Sequence, residues 1–440
     1  MRRSSLLPRL LLLLAASLPR AAAAEAVPAR PAQPSVLLED DRALARWLAA
    51  AHPELAAARA EVAGARAAVG VSRALPNPAL GLSVSGIGLG PRNPPSLSPS
   101  ETRAYSVGLA ETIELGKRGP RARAAELRRD AAVLSYDDAL VTHVEDARDA
   151  LARVVYFGAR QRILDERLEA AREVIELEQA RLDHGDISGI DHDRLVLDTM
   201  TLEREAVDNR ADYEAALSNC SVALAATCEP DGVDMAAVDR AAPVPSMPPD
   251  AASAVAKRPD VRALERAGEA ARQDAKLWRR QAIPDPTVGV AYTRDYLTAN
   301  GNQPHTLSVS LSIPLPIFDH GGYQAAQADE QARSFELSAR ARLARARADV
   351  ASLVRRREIL ERKLAGLVEK SVPHSTAVLE ATEQAYHHGQ LSMTDLLLVR
   401  REHVAVLLDV TDTRFELFTI RNQLRRALGL DAAELQPSQP

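Results

Sequence analysis

LSVSLSIPLP, residues 307–316, sets Leu307, Val309, Leu311, Ile313 and Leu315 on one side of an extended chain and Ser308, Ser310 and Ser312 on the other. Successive side chains point to opposite faces of a strand, so this alternation predicts a β-strand with one greasy face and one small, polar face. Its surroundings are of another kind. The rest of the chain is rich in Ala, Leu, Arg and Glu at helical spacing, and only 3% of its 440 residues are aromatic. That balance fits long helices packed through small side chains better than compact globular cores. The charged fraction is 26% and the net charge −5, which gives no basis for a nucleic-acid partner.

The strand has a counterpart. YSVGLAETIELGKRGP (105–120) parallels LSVSLSIPLPIFDHGG (307–322), and ALPNPALGLSV (74–84) parallels AIPDPTVGVAY (282–292). HPELAAARAEVAGARAAV (52–69) parallels RPDVRALERAGEAARQDA (258–275), and HGDISGID (184–191) parallels HGQLSMTD (388–395). Offsets of 202 to 208 residues define one duplicated unit of roughly 205. The expected organisation is a secretory signal peptide (1–24), a first repeat (25–229), a Pro-rich linker (230–250), a second repeat (251–430) and a C-terminal tail (431–440). The signal rests on Arg2 and Arg3, the apolar run Leu10–Ala16 and the small residues Ala22–Ala24. No Cys follows that site to take a lipid, and no later stretch approaches the roughly 18 apolar residues of a membrane-spanning helix.

Each repeat has the same order. A helix is stopped by paired prolines, Pro76 and Pro78 or Pro284 and Pro286. Two strands follow, at about 79–89 and 104–115, then 287–296 and 306–316. Next comes a very long helix, from Arg121 to His184 and again from about Tyr323 to His387, where Pro373 is expected to kink it. Leu127, Leu134 and Val141 recur at seven, as do Leu168, Ile175 and Leu182, the spacing of coiled-coil packing. A short turn and a return helix, ending near Ala226 or Leu428, close the unit. The fold class is therefore mainly α with a small β part, built as a duplicated helix–β-hairpin–long-helix–helix unit.

Helices near 100 Å long need helical neighbours and form a rod or tube. Strands of about ten residues with one apolar face match the wall of a transmembrane β-barrel, which must close because lipid satisfies no backbone group. Four strands are too few to close. Two chains give eight and three give twelve, and the sequence pattern alone does not choose.

At the far end, Gly185 and Gly389 suit the left-handed residue that ends a helix. Ser188 and Ser392 suit the N-cap of the return helix, with Asp191 and Asp395 three residues on in the S-x-x-D capping pattern. These turns are tight helix connections. They are also candidates for the end of the tube, with Asp191 and Asp395 as an acidic constriction and Gly185, Ser188, Gly389 and Ser392 as docking positions. His184, His192, His387 and His388 cluster nearby in sequence, and exposed tip polarity accounts for them better than a metal centre. Cys220 and Cys228 would stand about 12 Å apart on a continuous helix, as two buried thiols. If the helix ends near Ala226 and the chain folds back, a disulfide becomes possible. GIGLG (86–90) runs into PRNPP instead of a helix, so it is no dinucleotide fingerprint, and no segment supports an enzyme or a cofactor site.

The duplicated plan, with LPNPALGLSV, VGLAETIELGKRGPRARAAE, PLPIFDHGG and AYHHGQLSMTDLLLVRREHV, resembles the TolC family of outer-membrane efflux proteins over residues 37 to 430. The resemblance implies a homotrimer whose twelve-stranded barrel in outer-membrane lipid continues as an α-helical coiled-coil tunnel through the periplasm. Its implied partners are a periplasmic adaptor (membrane fusion protein) and an inner-membrane efflux transporter. In that family acidic residues in the second return helix gate the tip. Asp395 matches one, while Leu398 stands at the other acidic position. ETIELGKR and HPELAAARAEV look most like the cobalt–zinc–cadmium branch, whose transporters are of the resistance–nodulation–division type. Alternatives are the same duct for drugs or type I secretion, and a soluble periplasmic coiled-coil scaffold. On the duct reading, Leu307, Val309, Leu311 and Ile313 face lipid.

Overall fold

The computed structural model describes residues 34–429 except 92–94, 97, 99, 230–234, 242–250 and 297–302. The expected signal peptide, the tail and most of the linker lie outside the described residues. The first repeat opens with the short helices α1 (Pro34–Glu39) and α2 (Asp41–Ala51), then α3 (Pro53–Arg73). Strands β1 (Ala79–Ser85) and β2 (Ala104–Thr112) lead into α4 (Arg118–Asp183) and α5 (Gly189–Leu224). Helix α6 (Met235–Ala241) falls inside the expected linker. The second repeat runs α7 (Ala251–Ala256), α8 (Pro259–Arg279), β3 (Thr287–Asp295), β4 (His305–Ser312), α9 (Gly322–Gly366), α10 (Val372–His387) and α11 (Met393–Leu428).

The copies match in length. Helix α4 has 66 residues, about 99 Å at 1.5 Å each, and its counterpart runs from Gly322 to His387. Both return helices have 36 residues. Pro373 does not end the second long helix. A π-helical turn, Leu367–Ser371, precedes it and joins α9 to α10, so the missing N–H falls where the helical ladder is already widened. Along their lengths α4 packs on α3, α5 and α8, and α8 on α9, so the two repeats lie side by side. Of the heptad positions, Leu127, Val141 and Leu168 are buried, while Leu134, Ile175 and Leu182 are half-buried.

The largest core cluster gathers α1, α2 and α6 around the middle of α4 and the end of α5. Trp47 inserts there and donates its indole N–H to the Leu224 carbonyl at 2.9 Å. Arg148, fully buried on α4, pairs with Asp41 at 3.1 Å, and Arg425 reaches the same carboxylate at 2.7 Å. The intervening helix α6 is thus part of the core rather than a bare connection. Helix α5 stops because Ala225 turns left-handed, at φ +52°. The chain folds back, the Cα atoms of Cys220 and Cys228 come to 5.8 Å, and the two are joined by a disulfide. Of the two alternatives that the sequence left open, the bridge is the one formed.

Candidate functional site: a two-faced sheet and two helical tips

The two hairpins form one antiparallel sheet in the order β1-β2-β3-β4. Strand β2 joins β3 with Leu109 opposite Val290 and Val107 opposite Tyr292, so the seam between repeats carries the same facing as the hairpins. Leu80 opposes Leu109 in β1–β2, and Val309 opposes Val290 in β3–β4. The register therefore places Leu80, Leu82, Val107, Leu109, Val290, Leu307, Val309 and Leu311 on one face. All are exposed, up to 75% for Leu82 and 74% for Val309. The hydrogen-bonded strands end a few residues before the alternation does, and Ile113, Leu115, Ile313 and Leu315 extend the exposed apolar positions, interrupted on β2 by Glu111. A contiguous apolar surface of this extent is foreign to a water-facing sheet.

The middle rows of the opposite face hold small side chains, Gly81, Ser83, Ser106, Gly108, Ala110, Gly289, Ala291, Ser308 and Ser310, with threonines and Asp295 toward the strand ends. It is crowded. A Cβ added at Gly108 would meet that of Ala291 at 2.9 Å, and one added at Gly289 would meet the Ser310 hydroxyl at 2.6 Å. Such close approach is what a sheet curling toward this face, as a barrel wall does, produces. Strands β1 and β4 each have one neighbour, so both outer edges of the described sheet are open.

Where strands become helices, the repeat motifs form a polar collar. Glu114 accepts a 2.9 Å hydrogen bond from Arg121 Nη2, and Lys117 Nζ stands 2.7 Å from Asp285. The Leu115 amide donates to Asp285 at 2.9 Å, and Arg280 donates to the Gly116 carbonyl. Burial pushes the Asp285 carboxyl up, but Lys117 and the Leu115 amide outweigh it and hold it below its ordinary value. ETIELGKR and AIPDP are therefore one ionic junction seen from two parts of the sequence.

At the other end, both tip turns carry a left-handed glycine, Gly185 at φ +79° and Gly389 at φ +72°. The Asp186 and Gln390 amides reach back five residues to the Arg181 and Ala385 carbonyls, closing each helix in the same way. Ser188 Oγ accepts from the Asp191 amide at 3.1 Å and donates to its carboxylate at 2.7 Å. In the second turn the box is complete, since the Ser392 amide also donates to Asp395 at 3.2 Å. Those hydrogen bonds from Ser392 hold the Asp395 carboxyl below its usual range, so this exposed group keeps its charge. Arg194, 3.6 Å from Asp191, donates to Thr394 Oγ1 at 3.3 Å and ties the two tips together.

A second link lies just behind the tips, and no local pattern in the sequence announced it. Glu178 is buried on α4 beside Arg181 at 3.0 Å, and Arg181 donates to the Tyr386 hydroxyl at 3.2 Å. Burial and the Glu178 carboxylate push the Tyr386 hydroxyl up to about 12. Tyr386 also packs with Leu195, Met393, Leu396 and Leu397, joining the repeats through an apolar cluster. Among the described residues the tip histidines assemble no three-ligand cluster.

A sheet apolar on one face and set with small residues on the other, continued by two helices near 100 Å long and their shorter antiparallel return helices, is the make-up of a membrane channel protein. Among the described residues no helix is long and apolar enough to cross a membrane. The chain belongs to the outer membrane efflux protein family, whose model matches residues 44–227 and 251–430, one stretch in each repeat. It is accordingly an outer-membrane channel protein and not an enzyme. Its fold is similar to that of CusC, described as forming a transmembrane channel, with 17% identity, 91% of this chain and 97% of that chain covered, and a TM-score of 0.76. It is similar to the outer-membrane channel OprN (20% identity, 91% and 93% covered, TM-score 0.72). It is also similar to the open state of the Neisseria gonorrhoeae channel MtrE (19%, 89% and 89%, TM-score 0.73). Comparison with curated proteins finds no match.

Proposed function

We propose that three copies of this chain close a twelve-stranded barrel in the outer membrane and continue it as a periplasmic tunnel, the exit duct of a tripartite efflux pump. The observation that carries this reading is the four-stranded sheet with two open edges and an outer face that is apolar across its middle rows. Edges left open in lipid are prohibitively costly, so β4 of one copy pairs with β1 of the next. The duct takes cargo from a resistance–nodulation–division transporter through a periplasmic adaptor, which docks at the tips around Gly185, Ser188, Gly389 and Ser392. Heavy-metal cations are the cargo favoured by the resemblance of ETIELGKR and HPELAAARAEV to the cobalt–zinc–cadmium branch. Asp395, with Asp191, forms the acidic constriction.

Single cysteines along 307–312 test the barrel. Positions 307, 309 and 311 should react with a lipid-soluble reagent, 308 and 310 with an aqueous one, and the protein should migrate as a heat-sensitive trimer. A mature protein soluble in water, or labelling without alternation, refutes the reading. For the gate, Asp395→Ala should raise single-channel conductance in planar bilayers and weaken block by divalent cations; unchanged values would remove Asp395 from that role.

A further inference from the structure

The two repeats diverge at one matched position. HPE (52–54) aligns with RPD (258–260), and in both a proline opens the helix that follows. In the second repeat Asp260 lies between two guanidinium groups, Arg258 at 3.0 Å and Arg342 at 3.5 Å. Its permanent positive partners satisfy it. In the first repeat Glu54 faces His143 Nε2 on α4 at 3.2 Å, and His52 lies over the same ring with centroids 4.1 Å apart. His52 stands at the matched position of Arg258, and two imidazoles neighbour Glu54 where two guanidinium groups neighbour Asp260.

His52 is spent on no other task. It is the N-cap of α3, a position where a side chain usually accepts a hydrogen bond from the first turn, and it makes no such bond. The residue is only 7% exposed, and its buried Nδ1 has no hydrogen-bond partner. One ligand atom from each of His52, Glu54 and His143 lies within 4.8 Å of the other two. A tetrahedral site with bonds near 2.0 Å needs separations of about 3.3 Å, so a closure of roughly 1.5 Å at most suffices. Glu54 and His143 already stand at that spacing, 3.2 Å, so the closure falls on the separations to His52.

We propose that His52, Glu54 and His143 bind one borderline divalent transition cation, Zn²⁺ or Co²⁺, with water in the fourth position. Two imidazoles and one carboxylate suit such ions better than Ca²⁺ or Mg²⁺, which take oxygen ligands, or Cu⁺, which takes thiolates. The ion supplies the positive charge that Arg258 and Arg342 supply in the other repeat. It clamps the corner between α2 and α3 onto α4 and is resident, separate from any ion passing through the lumen.

The test uses the full-length protein purified in detergent, stripped with chelator and titrated with Co²⁺ by its ligand-field absorption and with Zn²⁺ by calorimetry. One equivalent should bind per chain, and Zn²⁺ should raise the melting temperature. Glu54→Gln and His143→Gln should each weaken binding more than about tenfold and abolish the rise. His143→Arg restores a fixed cation beside Glu54, so it should fold stably and bind no metal. The tip double variant His387→Gln/His388→Gln should bind as the parent does. Absence of saturable binding overturns the proposal, as does binding that survives Glu54→Gln and His143→Arg or is lost in the tip variant.

Discussion

Gly108→Ala tests the curvature of the sheet directly. Gly108 sits opposite Ala291 in the β2–β3 ladder. Opposed Cβ atoms in an ordinary antiparallel pair stand about 4.5–5.5 Å apart. A Cβ at Gly108 would stand 2.9 Å from that of Ala291 and 3.2 Å from the Val290 carbonyl oxygen. The approach is about 2 Å too close, and both obstacles are parts of the strand itself, so backbone must move. Overpacking of this kind costs about 1–3 kcal/mol per chain. At Gly289 the obstacle is the Ser310 hydroxyl, which can rotate away, so Gly289→Ala should cost less. Adding Ala291→Gly to Gly108→Ala removes the nearer clash but not the Val290 carbonyl, and should recover part of the loss. The measurement is urea unfolding of protein refolded into liposomes, followed by heat-modifiable migration, across the double-mutant cycle. If Gly108→Ala is as stable as the parent, or the two substitutions simply add, the small-residue face is not the crowded inside of a curved wall.

Three further outcomes follow from buried or closed features of the helical part. Glu145 is buried on α4 beside Arg426, 2.7 Å away, and burial, partly offset by that guanidinium, lifts its carboxyl to about 7 from an ordinary value of 4.5. Because the folded value is the higher one, its contribution is complete below about pH 4.5 and is lost as pH rises through 7, a swing on the order of 3 kcal/mol. Glu145→Gln should flatten melting temperature across that window; an unchanged slope assigns the dependence to another group. Replacing Cys220 and Cys228 by Ser reopens a short loop and should cost about 2 kcal/mol, and reductant should lower the melting temperature of the parent but not of the variant. Equal sensitivity of both to reductant would contradict this. Ser392→Ala removes the cap of α11, worth about 1 kcal/mol, and should speed amide exchange at 393–395. Ser188→Ala deletes the same two side-chain bonds at its own turn, where no amide bond to the carboxylate is left behind, and should do at least as much; a smaller effect would contradict this.

What the sequence determined alone is whatever rests on a local period or a local stop. The alternation of 307–313, the spacing of seven at Leu127 and Leu168, the prolines after α3 and the Gly–Ser–Asp spacing of the tips each act within a few residues. Elements and their order were legible for that reason. The duplication added long-range information, because matched segments must take matched places, and so the two hairpins could be set at one end of a rod. Strand ends were less legible, since the apolar alternation runs past the hydrogen-bonded rows to Leu115 and Leu315.

Tertiary structure decided what depends on residues far apart in the chain. Pairing of β2 with β3 joins Leu109 to Val290, and no local period specifies that seam. The close approach of Gly108 to Ala291 depends on how strands from the two repeats meet. Tyr386 meets Arg181 across 205 positions, and His143 meets His52 and Glu54 only because α4 passes the corner between α2 and α3. The cysteines show the boundary most clearly. Their spacing was plain, but whether they bridge turned on one alanine, Ala225, adopting a left-handed conformation where the end of α5 packs beneath Trp47. Periodicity says which face of an element is apolar; only packing says what that face meets.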